Sequence, residues 1–114
     1  TDMPRFLLQN IAQAQEMLEA VQHPALKMQY DCYHMAMMGE NVLQALKENI
    51  DGIGHIQFAD CPGRHQPNSG EIDYAAIFDY LKSSPYTGYV AAEYRPTPDS
   101  NSSLAWKSAF FPQA

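Results

Sequence analysis

The chain has 114 residues, 46% of them hydrophobic, and a formal net charge of −6. That is enough for one domain with a core and too apolar for a disordered chain, and the scattered Lys and Arg argue against a nucleic-acid partner, which needs basic patches. No apolar run nears the roughly 20 residues that cross a bilayer, no signal peptide is seen, and Cys32 and Cys61 form neither a CxxC pair nor a disulfide framework, so a soluble cytoplasmic protein is expected.

In chain order, residues 4–21 read as an amphipathic helix. Phe6, Leu7, Ile11, Ala14, Met17, Leu18 and Val21 recur at spacings of three and four, Pro4 suits a first turn, and Asp2 is a candidate cap. No strand precedes it. Gln22-His23-Pro24 breaks the helix, and a strand follows over residues 25–31. Residues 32–39 read as a loop or distorted turn, and residues 40–49 as a helix. After Asp51-Gly52 comes a second strand, 53–59, and then a long loop, 60–70, crowded with turn residues. Asp73 is expected to cap a helix over 74–83, with Tyr74, Ile77, Phe78 and Leu81 as its buried stripe. A third strand covers 89–94, a Pro-rich loop 95–101, and a closing helix 102–111 with Leu104, Trp106 and Phe110 as anchors. The αβαβαβα order predicts a parallel α/β sheet with right-handed crossovers.

Each strand finishes on one polar group: Asp31, Gln57 and Glu93. Side chains alternate faces along a strand. Leu26, Met28 and Tyr30 therefore oppose Lys27, Gln29 and Asp31, and Ile56 and Phe58 oppose His55 and Gln57. Val90, Ala92 and Tyr94 oppose Ala91 and Glu93 in the same way. One face packs on helices, and the other gathers donors at the C-terminal ends of parallel strands, where sites are built. From the residues alone, Asp31 and His34 read equally as a strand-end cap and an interface histidine. Gln57 could simply satisfy backbone groups. Glu93 is costly on a small apolar strand unless it is metal-bound or paired, with Arg95 or Lys27 as candidate partners. Arg64 could be merely solvated, Glu71 reads as a loop clamp, His55 as structural, and His65 has no assigned role. Met35, Met37 and Met38 either wall a pocket or pack the core.

The blocks YDCYHM, HIQFADCPGRHQPNSGEIDY and GYVAAEYRP resemble the C-terminal half of hydroxypyruvate isomerases. Those belong to the xylose-isomerase-like (β/α)8 TIM-barrel superfamily, which also holds sugar epimerases. The resemblance runs from about residue 2 to about residue 106, and the block after Gln57 is its most specific part. It implies that residues 1–114 are part of one barrel domain, the last three βα units, with the first five strands absent.

The resemblance also implies roles. Asp31, Gln57 and Glu93 would be ligands of a divalent metal, Mg²⁺ or Mn²⁺. Glu93 would also be an acid/base catalyst. His34 would lie beside the ion or touch substrate, and Arg64 would approach the substrate carboxylate. The implied reaction interconverts hydroxypyruvate and tartronate semialdehyde through an enediolate. Its second glutamate, in an E-x-x-N segment, would fall a few residues before Thr1, so the isolated chain is expected to bind the ion weakly and to turn over little. Its open sheet edge would aggregate, self-associate or pair with the missing half of the barrel. Other readings are an isomerase of a longer 2-oxo acid such as a 2-oxo-tetronate, a ketose 3-epimerase, a metal-dependent endonuclease, and a non-catalytic half-barrel that binds a partner.

Overall fold

The computed structural model describes residues 2–112. Strands β1 (Met28–Asp31), β2 (Ile53–Phe58) and β3 (Val90–Ala92) form one sheet in the order β1-β2-β3, and both pairs are parallel. Parallel strands need crossover connections, and helices supply them here. The helices are α1 (Ile11–Val21), α2 (Cys32–Met37), α3 (Val42–Asn49), α4 (Tyr74–Ser83) and α5 (Trp106–Phe110). Among the described residues no helix is long and apolar enough to cross a membrane.

Cap chemistry decides where the helices begin. Asn10, rather than Asp2, accepts from the backbone of Gln13 at 3.0 Å, so α1 starts at Ile11 and the Pro4 start is corrected. Phe6 and Leu7 lie outside the helix and are exposed, while Ile11, Ala14 and Leu18 pack against the core. Of the loop and the distorted turn expected over 32–39, the structure has a helical turn, α2, over Cys32–Met37. Asp31 Oδ1 accepts from the backbone N–H of His34 at 3.2 Å, and that cap starts α2 directly at the strand end. Gly39, at φ +79°, ends this turn in the left-handed conformation that glycine adopts freely. Asn41 caps α3, and Asp73 caps α4 with the expected bounds, accepting from Ala76 at 3.0 Å. The closing helix is a 3-10 turn, Ser102–Ala105, followed by the short α5. Its expected anchor Leu104 is 45% exposed, while Trp106 and Phe110 do pack on the core.

In β1 and β2 burial follows the predicted alternation, with one irregularity, whereas in β3 Val90 and Ala92, expected on the packed face, are exposed. Met28 pairs with Ile53, but Gln29 pairs with His55, so Gly54 is an extra residue in the ladder. A Cβ there would lie 2.7 Å from Lys27 Cβ, which glycine avoids. Beyond this bulge Tyr30 faces Ile56 and Asp31 faces Gln57. The extended ends expected for the first and third strands, residues 25–27 and 93–94, lie outside the assigned strands.

The core lies on one face of the sheet. Tyr30, Ile56 and Phe58 meet Leu46 of α3 and Tyr74, Ile77 and Phe78 of α4, all nearly inaccessible. Phe78 is the hub of an aromatic cluster, with ring centroids of Phe58, Tyr74, Phe110 and Phe111 between 5.1 and 5.4 Å away. Such pairs add to the apolar burial of each ring. Truncating Phe78 to Ala is expected to cost about 3–5 kcal/mol. The measurement is the urea midpoint of Trp106 fluorescence, since Trp106 stacks 6.3 Å from Phe78. Phe78→Leu should shift that midpoint less, and an unchanged midpoint in Phe78→Ala would refute the hub.

Candidate functional site

The open face of the sheet ends in the three predicted residues. Asp31 pairs with Gln57, and Gln57 with Ala91. The Glu93 N–H donates to Phe58 O at 3.0 Å, carrying the pairing one step beyond β3. Alternation then sets Asp31, Gln57 and Glu93 on the face opposite the core. Asp31 is 9% exposed. Its second carboxylate oxygen lies 4.0 Å from His34 Nε2, so the carboxylate that caps α2 with Oδ1 keeps Oδ2 facing a side chain. Gln57 Oε1 accepts from Gln29 Nε2 at 2.6 Å on the same face. Glu93 Oε2 accepts from Arg64 Nη2 at 3.0 Å, so its ion-pair partner is Arg64 rather than Arg95 or Lys27.

Arg64 reaches Glu93 because its loop is tightly wired. Asp60, fully buried, ends β2's run and accepts from the backbone N–H groups of Cys61, Ser69 and Ile72 at 2.8–3.1 Å. The N–H of Asp60 donates to His65 O, and that of Arg64 to Asp60 O. Arg64 sits at φ +59°, a left-handed conformation that costs a non-glycine residue about 1–2 kcal/mol. Its carbonyl accepts from Arg95 N at 2.8 Å. His65 Nδ1 contacts Arg95 O at 2.7 Å, which requires the proton on Nδ1 and gives His65 a structural place. Gln66 closes the seam with both ends of its amide: Nε2 donates to Thr97 O at 2.7 Å, and Oε1 accepts from Thr97 N at 3.2 Å. Glu71 clamps the far end of the loop through its backbone, 2.7 Å from Cys61 O.

A third set of contacts comes from the segment before α1. Asp2 Oδ2 accepts from the Tyr33 hydroxyl at 2.7 Å, and Oδ1 lies 4.0 Å from His34 Nδ1. This hydrogen bond holds the Asp2 carboxyl below its usual range and pushes the Tyr33 phenol up to about 12. The Tyr33 ring lies under Arg64, with Cζ 5.1 Å from its centroid, and Phe6 stacks on His34 at 6.4 Å. Met35 and Met38 wall a cavity of about 230 Å³ beside β1 together with Phe6, Asp31 and His34, while Met37 contacts Cys61 at 3.6 Å. Burial pushes the Cys32 thiol up to about 12 and raises that of Cys61, so both stay protonated at neutral pH.

Hard divalent ions take oxygen donors. Two carboxylates and an amide oxygen at neighbouring strand ends suit that chemistry, and Asp31, Gln57 and Glu93 are the residues that would hold such an ion. Among the described residues no group of three His, Cys, Asp or Glu side chains is gathered closely enough to bind a metal. Sequence reading missed Tyr33, Asp60 and Gln66. Tyr33 lies in the stretch 32–39 expected to be irregular, and only the D-C-P-G turn hints that Asp60 organises a loop.

A family model described as xylose isomerase-like TIM barrel matches residues 2–110. The chain is 38% identical to a 2-oxo-tetronate isomerase of Cupriavidus necator, covering 92% of this chain and 40% of that protein. It is 37% identical to the hydroxypyruvate isomerase of Escherichia coli, covering 96% and 42%. Among solved structures, it superposes on an AP endonuclease of family 2 from Brucella melitensis with TM-score 0.89 and 30% identity, covering 96% of this chain and 42% of that one. A 3-keto-D-glucoside 4-epimerase from E. coli gives TM-score 0.78 and 32% identity, covering 90% and 41%. The chain thus spans about 40% of the length of the curated relatives it matches. Its parallel sheet and the match over residues 2–110 agree: the chain belongs to the xylose isomerase-like TIM-barrel family.

Proposed function

We propose that this chain supplies three ligand positions and one acid/base group of a barrel isomerase that interconverts hydroxypyruvate and tartronate semialdehyde. One observation carries the reading: Asp31, Gln57 and Glu93 lie at or just beyond the C-terminal ends of three adjacent parallel strands, on the face opposite the core, and Arg64 reaches over that edge to Glu93. The similarity to isomerases supports the reaction class. A 2-oxo-tetronate, a longer acid of the same type, is the second reading, because the relatives of either name are almost equally similar.

The reaction moves one proton from C3 to C2 of a keto acid and one from the O3 hydroxyl to O2, leaving an aldehyde at C3 and a hydroxyl at C2. A bound divalent ion, Mg²⁺ or Mn²⁺, would polarise the substrate carbonyl and so acidify the C3 proton. Asp31, Gln57 and Glu93 would hold that ion through their side-chain oxygens. Glu93, 52% exposed at its side chain, is open to solvent and substrate, as proton exchange requires. It would take or return the proton on one face of the enediolate, with a second carboxylate, from a part of the barrel outside this chain, acting on the other. Arg64 uses Nη2 on Glu93 and keeps further N–H donors for the substrate carboxylate, a fork suited to that shape. His34, between Asp31 and Asp2, would border the substrate. The metal, the substrate and the missing half of the barrel as partner are all parts of this proposal.

Three outcomes test it. In a complete barrel that includes this chain, Glu93→Gln is expected to lower kcat for hydroxypyruvate by about 10²–10⁴-fold. Proton exchange at C3, followed by NMR in deuterated water, should fall with it, and exchange at the wild-type rate would remove Glu93 from the chemistry. Arg64→Lys loses the planar fork and should raise KM for hydroxypyruvate more than it lowers kcat. A KM equal to that of wild type would exclude the carboxylate role. The isolated 114-residue chain should bind Mn²⁺ weakly by electron paramagnetic resonance and show negligible turnover, and efficient turnover by the monomer would sink the shared-site reading.

A further inference from the structure

We infer that Asp2 is a positioning residue of the strand-end site, acting on the Arg64–Glu93 pair through the ring of Tyr33. One carboxylate touches two consecutive side chains of α2, each aimed at a different strand end. Oδ2 accepts from the Tyr33 hydroxyl at 2.7 Å, and Oδ1 lies 4.0 Å from His34 Nδ1. His34 turns its other nitrogen to Asp31, again at 4.0 Å. The Tyr33 ring is buried, so its hydroxyl bond and its packing together fix the plane of the ring. Arg64 Cζ lies 5.1 Å from the ring centroid, and Nη2 of the same guanidinium is 3.0 Å from Glu93. The guanidinium is therefore held between an aromatic ring and a carboxylate, and the aromatic side is set by Asp2.

Asp2 touches no reacting atom in this arrangement. Its contribution is orientation: without it the Tyr33 hydroxyl loses its acceptor, the ring gains freedom, and Arg64 loses one of its two restraints. The chemistry needs an acidic side chain at this point, because a neutral amide gives the phenol a weaker acceptor. The carboxylate also complements the positive charge of Arg64 beyond the ring.

The direct test is hydrogen exchange at the Arg64 side-chain Nε–H, followed by NMR on the whole chain and identified by its loss in Arg64→Lys. Asp2→Asn and Tyr33→Phe should each accelerate that exchange about tenfold, the scale of one lost cation–π restraint. The double variant should be no faster than either single one, since both break the same link. Asp2→Glu should restore slow exchange. The Trp106 Nε1–H, bonded to the Tyr94 hydroxyl at 3.1 Å, is the internal control. Equal acceleration there would mean general loosening and would overturn the proposal, as would wild-type exchange in Asp2→Asn. The kinetic arm rests on the isomerase reading: in a complete barrel, Asp2→Asn should raise KM for hydroxypyruvate about tenfold with kcat little changed, at a cost of about 1.4 kcal/mol. If the wild-type barrel does not turn over hydroxypyruvate, that reading fails, and the exchange experiment alone decides the role of Asp2.

Discussion

Parallel pairing makes every strand run the same way, so all three C-terminal ends emerge at one edge of the sheet. Adjacent strands lie about 4.8 Å apart, which brings groups on successive strand ends within reach of one small ligand. Alternation adds a second constraint. Residues two apart share a face, so the face holding Gln29, His55 and Gln57 is committed to polar contacts once Tyr30, Ile56 and Phe58 are committed to the core. The site is thus a by-product of the same two rules that build the hydrophobic layer.

Strand ends alone would leave the side chains loosely aimed, and the loops remove that freedom. Asp60 ties three N–H groups into one turn, and Gln66 pairs its amide with Thr97 like a short extra strand. Among the described residues no buried side-chain nitrogen or oxygen lacks a hydrogen-bond partner. That completeness matters near a charged edge, because each unpaired buried group would cost about 1–3 kcal/mol. The left-handed backbone at Arg64 is tolerated because hydrogen bonds on both its sides leave no cheaper conformation.

What was legible in the sequence was the regular part. The alternation in KMQYD and HIQF gave the faces, the three polar strand ends gave the edge, and Asp73 announced α4 through ordinary cap chemistry. The resemblance of the long block after Gln57 supplied the family, which parity could not. Errors arose where two signals competed. Asp2 and Pro4 looked like a helix start, but Asn10 caps α1 and Asp2 is drawn to Tyr33 across 31 positions. The run after Asp31 looked irregular, yet a carboxylate at a strand end can start a helix at once, as it does here. The partner of Glu93 is neither its near neighbour Arg95 nor Lys27 before β1, but an arginine from a loop 29 residues away. Contacts between loops have no period, so no pattern along the chain reports them.

The bulge at Gly54 has a consequence for how this sequence can vary in length. With Gly54 skipped, Ile53, Ile56 and Phe58 share one face without a break, so the extra residue is absorbed at the start of β2. Loss of that glycine would leave every pairing from Gln29 onward unchanged. Loss of one residue between Ile56 and Asp60 would instead turn Gln57 or Phe58 to the wrong face and drag the Arg64 loop out of step with Glu93. Insertions and deletions among relatives should therefore collect at the entry of the strand and be purged from its exit. The two ends of a single strand, a few residues apart, are open to lineage drift at one side and closed to it at the other.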